Sequence, residues 1–238
     1  MTEKLFRVDP YAKECISTVT GTGPGGGVIV DRTVFYAAGG GQPGDSGRIE
    51  WESGEAKVLD ARHVQGGGIE LIAESGSDLP QTGAQVRQSL DWERRHRHMR
   101  IHTALHILSV AIPLPVTSGA ITAEKGRLDF DMPDAIEDRE RLLTELNGLA
   151  ARDLPVLEHW ITDAELEANP GLVKTMSVKP PMGTGRVRLI RIGEGPDQID
   201  LQPCGGTHVA RTGEIGSIFL GKIEKKGRQN RRVNILLD

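Results

Sequence analysis

Two histidines one helical turn apart, His102 and His106, stand in the run Arg100-Ile-His-Thr-Ala-Leu-His-Ile-Leu108. An i, i+4 spacing on a helix puts both imidazoles on one face, about 6 Å apart at the base. Such a pair can be half of a zinc site, and it can equally be a solvated or core pair. Partners are available in Pro203-Cys-Gly-Gly-Thr-His208, where two glycines allow a tight turn that aims Cys204 and His208 at one point. His102, His106, Cys204 and His208 together make a four-ligand site whose imidazole and thiolate donors suit Zn(2+), one ion per chain. A zincin protease is excluded, because that chemistry needs Glu directly after the first histidine and Thr103 stands there.

These four side chains need elements to hold them. Residues 91–111 lack Gly and Pro and can run as one helix, with Ile101, Leu105 and Leu108 as its apolar stripe. Before it, the first ninety residues are rich in glycine and in short β-like runs at 15–20, 27–34, 58–64, 68–73 and 84–90, separated by turn signals. This pattern predicts a small β-barrel-like domain over 1–90. After the helix, residues 126–131 predict a strand, and Asp134-x-x-Glu137 reads as the capping box of a helix reaching Arg152, burying Ile136, Leu142, Leu143, Leu146 and Leu149. A strand over 155–161 follows, then a short helix capped by Thr162-x-x-Glu165 and ended by Asn169-Pro-Gly171. Loop signals over 180–185, strands at 186–192 and 198–202, and a closing hairpin of 215–224 with 231–237 complete an α+β domain over 91–238 with an antiparallel sheet.

Within the first domain, Gly39-Gly-Gly-Gln42 resembles a phosphate cradle at first sight. No Lys-Ser or Lys-Thr follows, so it is not a P-loop. A run of glycines lets backbone approach a ligand closely, or simply turns a hairpin. Charge adds a second clue. The chain carries 29 Lys and Arg against 33 Asp and Glu, a net charge of −4. Yet residues 222–232 hold Lys222, Lys225, Lys226, Arg228, Arg231 and Arg232 against Glu224 alone, and residues 87–100 are also basic. Two local basic patches on a mildly acidic chain suit a polyanion gripped locally, or are plain solvated faces. The two cysteines, Cys15 and Cys204, are too few for a disulfide framework. The N-terminus has no apolar signal region, and no apolar run reaches membrane-spanning length, so a cytoplasmic protein without a membrane partner is expected.

His102-x-x-x-His106, the Cys204-Gly-Gly-Thr-His208 turn with Gly213-Glu-Ile-Gly216 behind it, and Phe35-Tyr36 with Gly39-Gly-Gly-Gln42 occur in one order along the chain. That order resembles the editing domain of alanyl-tRNA synthetases, and still more the freestanding alanyl-tRNA editing proteins with a glycine-rich N-terminal domain. Nothing in it resembles the ATP-binding core of a synthetase. The resemblance implies a zinc-dependent hydrolase that removes serine, and potentially glycine, from mischarged tRNA(Ala). It further implies that Thr117, with Ser118 and Thr122 as alternatives, recognises the serine hydroxyl. Gln42 is a second polar contact, and Thr117, Gln42 and His106 form the catalytic set. Gly39, Gly40, Gly41, Lys225, Lys226, Arg228 and Arg231, with residues 94–100, become candidate tRNA contacts of a monomeric enzyme. Two other classes stay open: a zinc-containing RNA-binding module without catalysis, and a zinc hydrolase of small esters or amides.

Overall fold

A computed structural model describes residues 1–176 and 185–238. The chain divides into two compact units, Met1–Arg97 and His98–Asp238. The division falls inside a helix, a little later than the change in composition.

The first unit is a closed antiparallel barrel. Its strands are β1 (Glu14–Thr22), β2 (Val28–Val30), β3 (Gly47–Trp51), β4 (Gly54–His63), β5 (Ile69–Ala73) and β6 (Gln85–Leu90), paired in the order β1-β2-β5-β4-β3-β6 and closed by β6 on β1. Alternation along each strand sends Val19, Val28, Val30, Ile49, Val58, Ile69, Leu71 and Val86 into one core with Phe35 and Tyr36. Closure satisfies strand edges that short glycine-flanked runs would otherwise leave open. Five of these strands fall on the expected runs, and β3 lies outside them. The expected run 27–34 divides into β2 and Arg32–Thr33, which pairs in parallel with Glu3–Lys4.

Helix α1 (Trp92–Ala111) crosses the division. From His98 to Ser109 nearly every residue is buried, so this stretch is enclosed on most sides, beyond the single apolar stripe expected. In the second unit β7 (Val116–Ile121) and β8 (Lys125–Asp131) form a hairpin, and β12 (Ile218–Lys225) and β13 (Asn230–Leu237) another. They make one antiparallel sheet in the order β12-β13-β8-β7. The helix packs closely here: a side chain at Gly126 would meet Ile101 Cγ2 at 2.6 Å. Between the hairpins come α2 (Arg139–Ala151), β9 (Val156–Thr162), α3 (Asp163–Ala168), β10 (Arg186–Ile192) and β11 (Asp200–Pro203), with β9-β10-β11 as a second antiparallel sheet. Among the described residues the single sheet expected is therefore two.

Local chemistry explains the other differences. Helix α2 starts at Arg139 because Asp138, not Asp134, caps it, accepting from Arg141 N at 2.8 Å. It buries Leu142, Leu146 and Ala150, while Ile136, Leu143 and Leu149 are half-buried. The capping box at Thr162 and Glu165 forms as read. Residues 116–121, before the strand expected at 126–131, form strand β7. The loop signals at 180–184 lie outside the described residues.

Candidate metal centre

Helix α1 presents His102 and His106, and the turn after β11 presents Cys204 and His208. The four ligand atoms lie within 4.8 Å of one another. Cys204 Sγ is 3.4 Å from His102 Nε2 and 3.3 Å from His208 Nε2. A tetrahedral metal with nitrogen and sulfur ligands at about 2.0–2.3 Å keeps them about 3.3–3.8 Å apart, so the donor set fits such an ion. All three histidines are buried and Cys204 is half-buried. The turn itself is pinned from β10: Arg188 Nη1 donates to Cys204 O at 2.8 Å and to Gly206 O at 2.9 Å, and Glu158 balances its charge.

The electrostatics suit ligation. Burial alone would push the Cys204 thiol up, but the imidazoles of His102 and His208 beside it outweigh that and hold it well below its ordinary value, toward the thiolate form that ligates a metal. His208 is driven down to about 3 by burial and by neighbouring His102, and is neutral with a lone pair to give. Burial also pushes His106 down. Its hydrogen bonds to Asp200 and Cys204 outweigh that and hold it up at about 9, so a metal must displace a proton there.

Behind the ligands sits a set of groups that sequence reading did not name. Asp200, on β11, places Oδ2 2.8 Å from His106 Nδ1, and a carboxylate can only accept. Lys174 Nζ reaches the other oxygen of Asp200 at 2.6 Å, and Gln202 Nε2 donates to Oδ2 at 2.8 Å. Thr103, read only as the residue that rules out a zincin, holds its Oγ1 3.2 Å from His208 Nδ1 and donates to Met99 O at 3.0 Å. The His208 Nδ1–H therefore points at a hydroxyl, leaving Nε2 for the cluster.

The remaining predicted residues fall as follows. Thr117 lies on β7, half-buried, with Oγ1 3.0 Å from both Asp129 O and Asn230 Oδ1. Thr122 is exposed and closes the β7–β8 turn, its Oγ1 accepting from Glu124 N and Lys125 N at 3.2 Å. On the barrel unit, Gly39 and Gln42 exchange backbone hydrogen bonds at 3.0 Å across Gly40 and Gly41, whose φ values of 58° and 84° mark a type I′ turn. Gly40 and Gly41 are exposed and Gln42 is buried, so what this tip presents is backbone. Lys225 and Arg228 are exposed at the β12–β13 turn; Lys226 pairs with Glu224 at 2.9 Å. Arg231 is buried and donates to Pro133 O and Asn230 O. In the 94–100 patch, Arg94 donates to Gly44 O, Arg95 is buried against Asp45 and Arg100 donates to Ile215 O, while Arg97 is exposed. Arg95 is thus a core residue rather than a phosphate contact.

Residues 187–234 match the model of the Threonyl and Alanyl tRNA synthetase second additional domain, and residues 8–94 match that of tRNA synthetases class II (A). The second match falls on the barrel, which carries the Phe35-Tyr36 and Gly39–Gln42 motifs of the resemblance. The chain is 34% identical over 248 residues to an alanyl-tRNA editing protein AlaX-M of Methanosarcina barkeri, covering 100% of this chain and 99% of that one. It is 34% identical over 241 residues to the AlaX-M protein of Saccharolobus solfataricus, covering 98% of each. An alanine–tRNA ligase of Pyrobaculum calidifontis is 35% identical over 235 residues, which are 94% of this chain but 25% of the ligase. The chain belongs to the family of AlaX-M alanyl-tRNA editing proteins. It spans about a quarter of the ligases' length and nearly the whole of the editing proteins'.

Proposed function

We propose that the protein is a trans-editing hydrolase that cleaves the ester between a wrong amino acid, serine first, and the tRNA that should carry alanine. The observation that carries this reading is the His102, His106, Cys204 and His208 cluster in a chain that aligns from end to end with editing proteins. Water adds to the acyl carbonyl, the ester C–O bond breaks, and the products are the free amino acid and a tRNA with its terminal ribose hydroxyl restored. An aminoacyl ester is already activated, so positioning substrate and water supplies much of the rate.

The ion this donor set favours is zinc, one per chain. When bound, it supplies a fixed positive charge that can anchor a substrate amino or carbonyl group. Four protein ligands make a closed shell, which assigns zinc to positioning. Thr117 reads the serine hydroxyl, with its own orientation set by Asn230. A site built around a hydroxyl leaves polar groups unmet when alanine enters, and such sites reject the lesser substrate by up to about 10⁴-fold. The Gly39–Gln42 turn offers exposed backbone to the acceptor end of the tRNA, and Lys225 and Arg228 offer charge to its phosphates. We place this activity in the cytoplasm, in a monomer. Among the described residues no helix is long and apolar enough to cross a membrane.

The test is ester loss from tRNA(Ala) charged separately with serine, glycine and alanine. Serine is expected to be released quickly and alanine hardly at all. Equal release of serine and alanine overturns the reading. Binding of zinc and tRNA without any ester loss would make the protein a binding module, and turnover of small esters unaffected by tRNA would make it a general hydrolase.

A further inference from the structure

We propose that Asp200 is the positioning residue of the metal centre, fixing His106 in its ligating form and tying that histidine, through Lys174, to the strand that carries Thr117. The proposal rests on the reading of the cluster as a metal site.

Asp200 has a fully buried side chain, 0% exposed. A carboxylate taken wholly out of water is costly unless donors surround it. Three converge on it: His106 Nδ1 at 2.8 Å, Gln202 Nε2 at 2.8 Å and Lys174 Nζ at 2.6 Å. Because the carboxylate only accepts, the His106 proton must sit on Nδ1, and Nε2 is left as the ligand atom. A carboxylate on the far nitrogen also makes an imidazole a stronger donor to a metal. Gln202 holds the arrangement to the helix as well: its Nε2 lies 3.2 Å from Ser109 Oγ, which donates to His106 O at 2.8 Å.

The second oxygen leads away from the metal. Lys174 spends its ammonium on Asp200, while its backbone lies against β7: Val116 N donates to Lys174 O at 2.9 Å, and Met176 N donates to Val116 O at 2.8 Å. Val116 precedes Thr117. One buried carboxylate therefore bonds a metal-ligand histidine on one side and the support of the hydroxyl-reading strand on the other.

The experiment titrates zinc from the full-length protein with a chromophoric chelator and, separately, records the visible spectrum of the cobalt(II)-loaded protein. Asp200→Asn keeps the shape and removes the charge. It is expected to weaken zinc binding by about 10–100-fold and to alter the cobalt spectrum. In a His106→Cys background, which keeps a fourth ligand but removes the imidazole, the same substitution is expected to change zinc affinity less than about twofold, because its effect runs through that histidine. Equal losses in both backgrounds, or no loss in either, overturn the proposal. Should Asp200→Asn not fold, Lys174→Met carries the test. It strips one donor from Asp200 without touching a ligand and must lower affinity at least about threefold, and unchanged affinity again overturns the role. A wild-type protein that takes up no zinc overturns the metal reading itself, an outcome distinct from zinc bound with unchanged affinity in the variant.

Discussion

Arg95 and Asp45 meet as a fully buried ion pair inside the first unit, their side chains 0% and 1% exposed. The guanidinium also donates to Val34 O at 2.7 Å and Pro10 O at 3.0 Å, and Asp45 accepts from Tyr36 N at 2.6 Å. The pair thereby fixes the base of the Gly39–Gln42 turn. Asp45→Ala strands a buried charge and is expected to destabilise this unit by about 3–5 kcal/mol, read by urea unfolding of the whole chain. Joint replacement by Arg95→Met and Asp45→Leu should cost clearly less than the two single changes added, because no charge is left unmet.

The Thr117 hydroxyl has two internal partners, so its direction is set before any substrate arrives. Thr117→Val keeps the shape, and it should narrow the serine-over-alanine preference by about 1–3 kcal/mol in deacylation assays. Asn230→Ala, which removes one of the hydroxyl's partners and leaves Asp129 O, should produce a smaller narrowing. An unchanged preference in Thr117→Val would move the recognition role to a neighbour such as Ser118.

Metal content should be one zinc per chain by elemental analysis, and Cys204→Ala or His106→Ala should lose it. Metal-free protein that is folded and fully active would end the four-ligand reading. The contrast with Thr117→Val is useful, since that variant should keep its zinc.

Asp129 bridges Arg232, at 2.8 and 2.9 Å, and Arg127, at 3.0 Å, on the polar face of the β12-β13-β8-β7 sheet. Burial works against its charged form, but the two guanidiniums win and hold its carboxyl below the usual range. A depressed carboxyl adds stability above its unfolded value, near pH 4, and that stability is lost as pH falls through the folded value. Asp129→Asn should therefore cost about 2 kcal/mol at neutral pH and flatten the acid limb of the stability curve below pH 4, followed by thermal unfolding across pH.

Phosphate contacts should reveal themselves through salt. Lys225→Gln with Arg228→Gln is expected to reduce the slope of log affinity for tRNA against log salt by about 1.5–2, with the fold unchanged. Arg231→Gln should instead lower stability, because its donors serve Pro133 O and Asn230 O within the fold.

These residues show what a sequence can carry. The His102, His106, Cys204 and His208 cluster was legible because few side chains ligate soft metals and because both pairs have short, fixed spacings. Asp200 was not, since a carboxylate 94 residues from the histidine it serves leaves no local pattern. Arg95 and Arg231 read as surface charge because composition does not reveal a buried acceptor. The barrel was legible from alternation and turns, yet β3 was missed, being short and close to the turn signals at 43–45. At α2 the capping-box pattern pointed to Asp134, whereas the folded backbone puts the cap at Asp138.

Cys204 is separated by 102 residues from the nearer-contacting histidine of the helix, His102. Closing a loop of that length costs chain entropy that a growing or half-folded polypeptide cannot recover. High-affinity capture of the ion must then wait until β10 and β11 have delivered the turn to the helix, late in a pathway dominated by distant contacts. Metal uptake would thus serve as an inspection stamp: a chain that has taken its ion has brought β10 and β11 to the helix, and one that stalls earlier leaves synthesis without it.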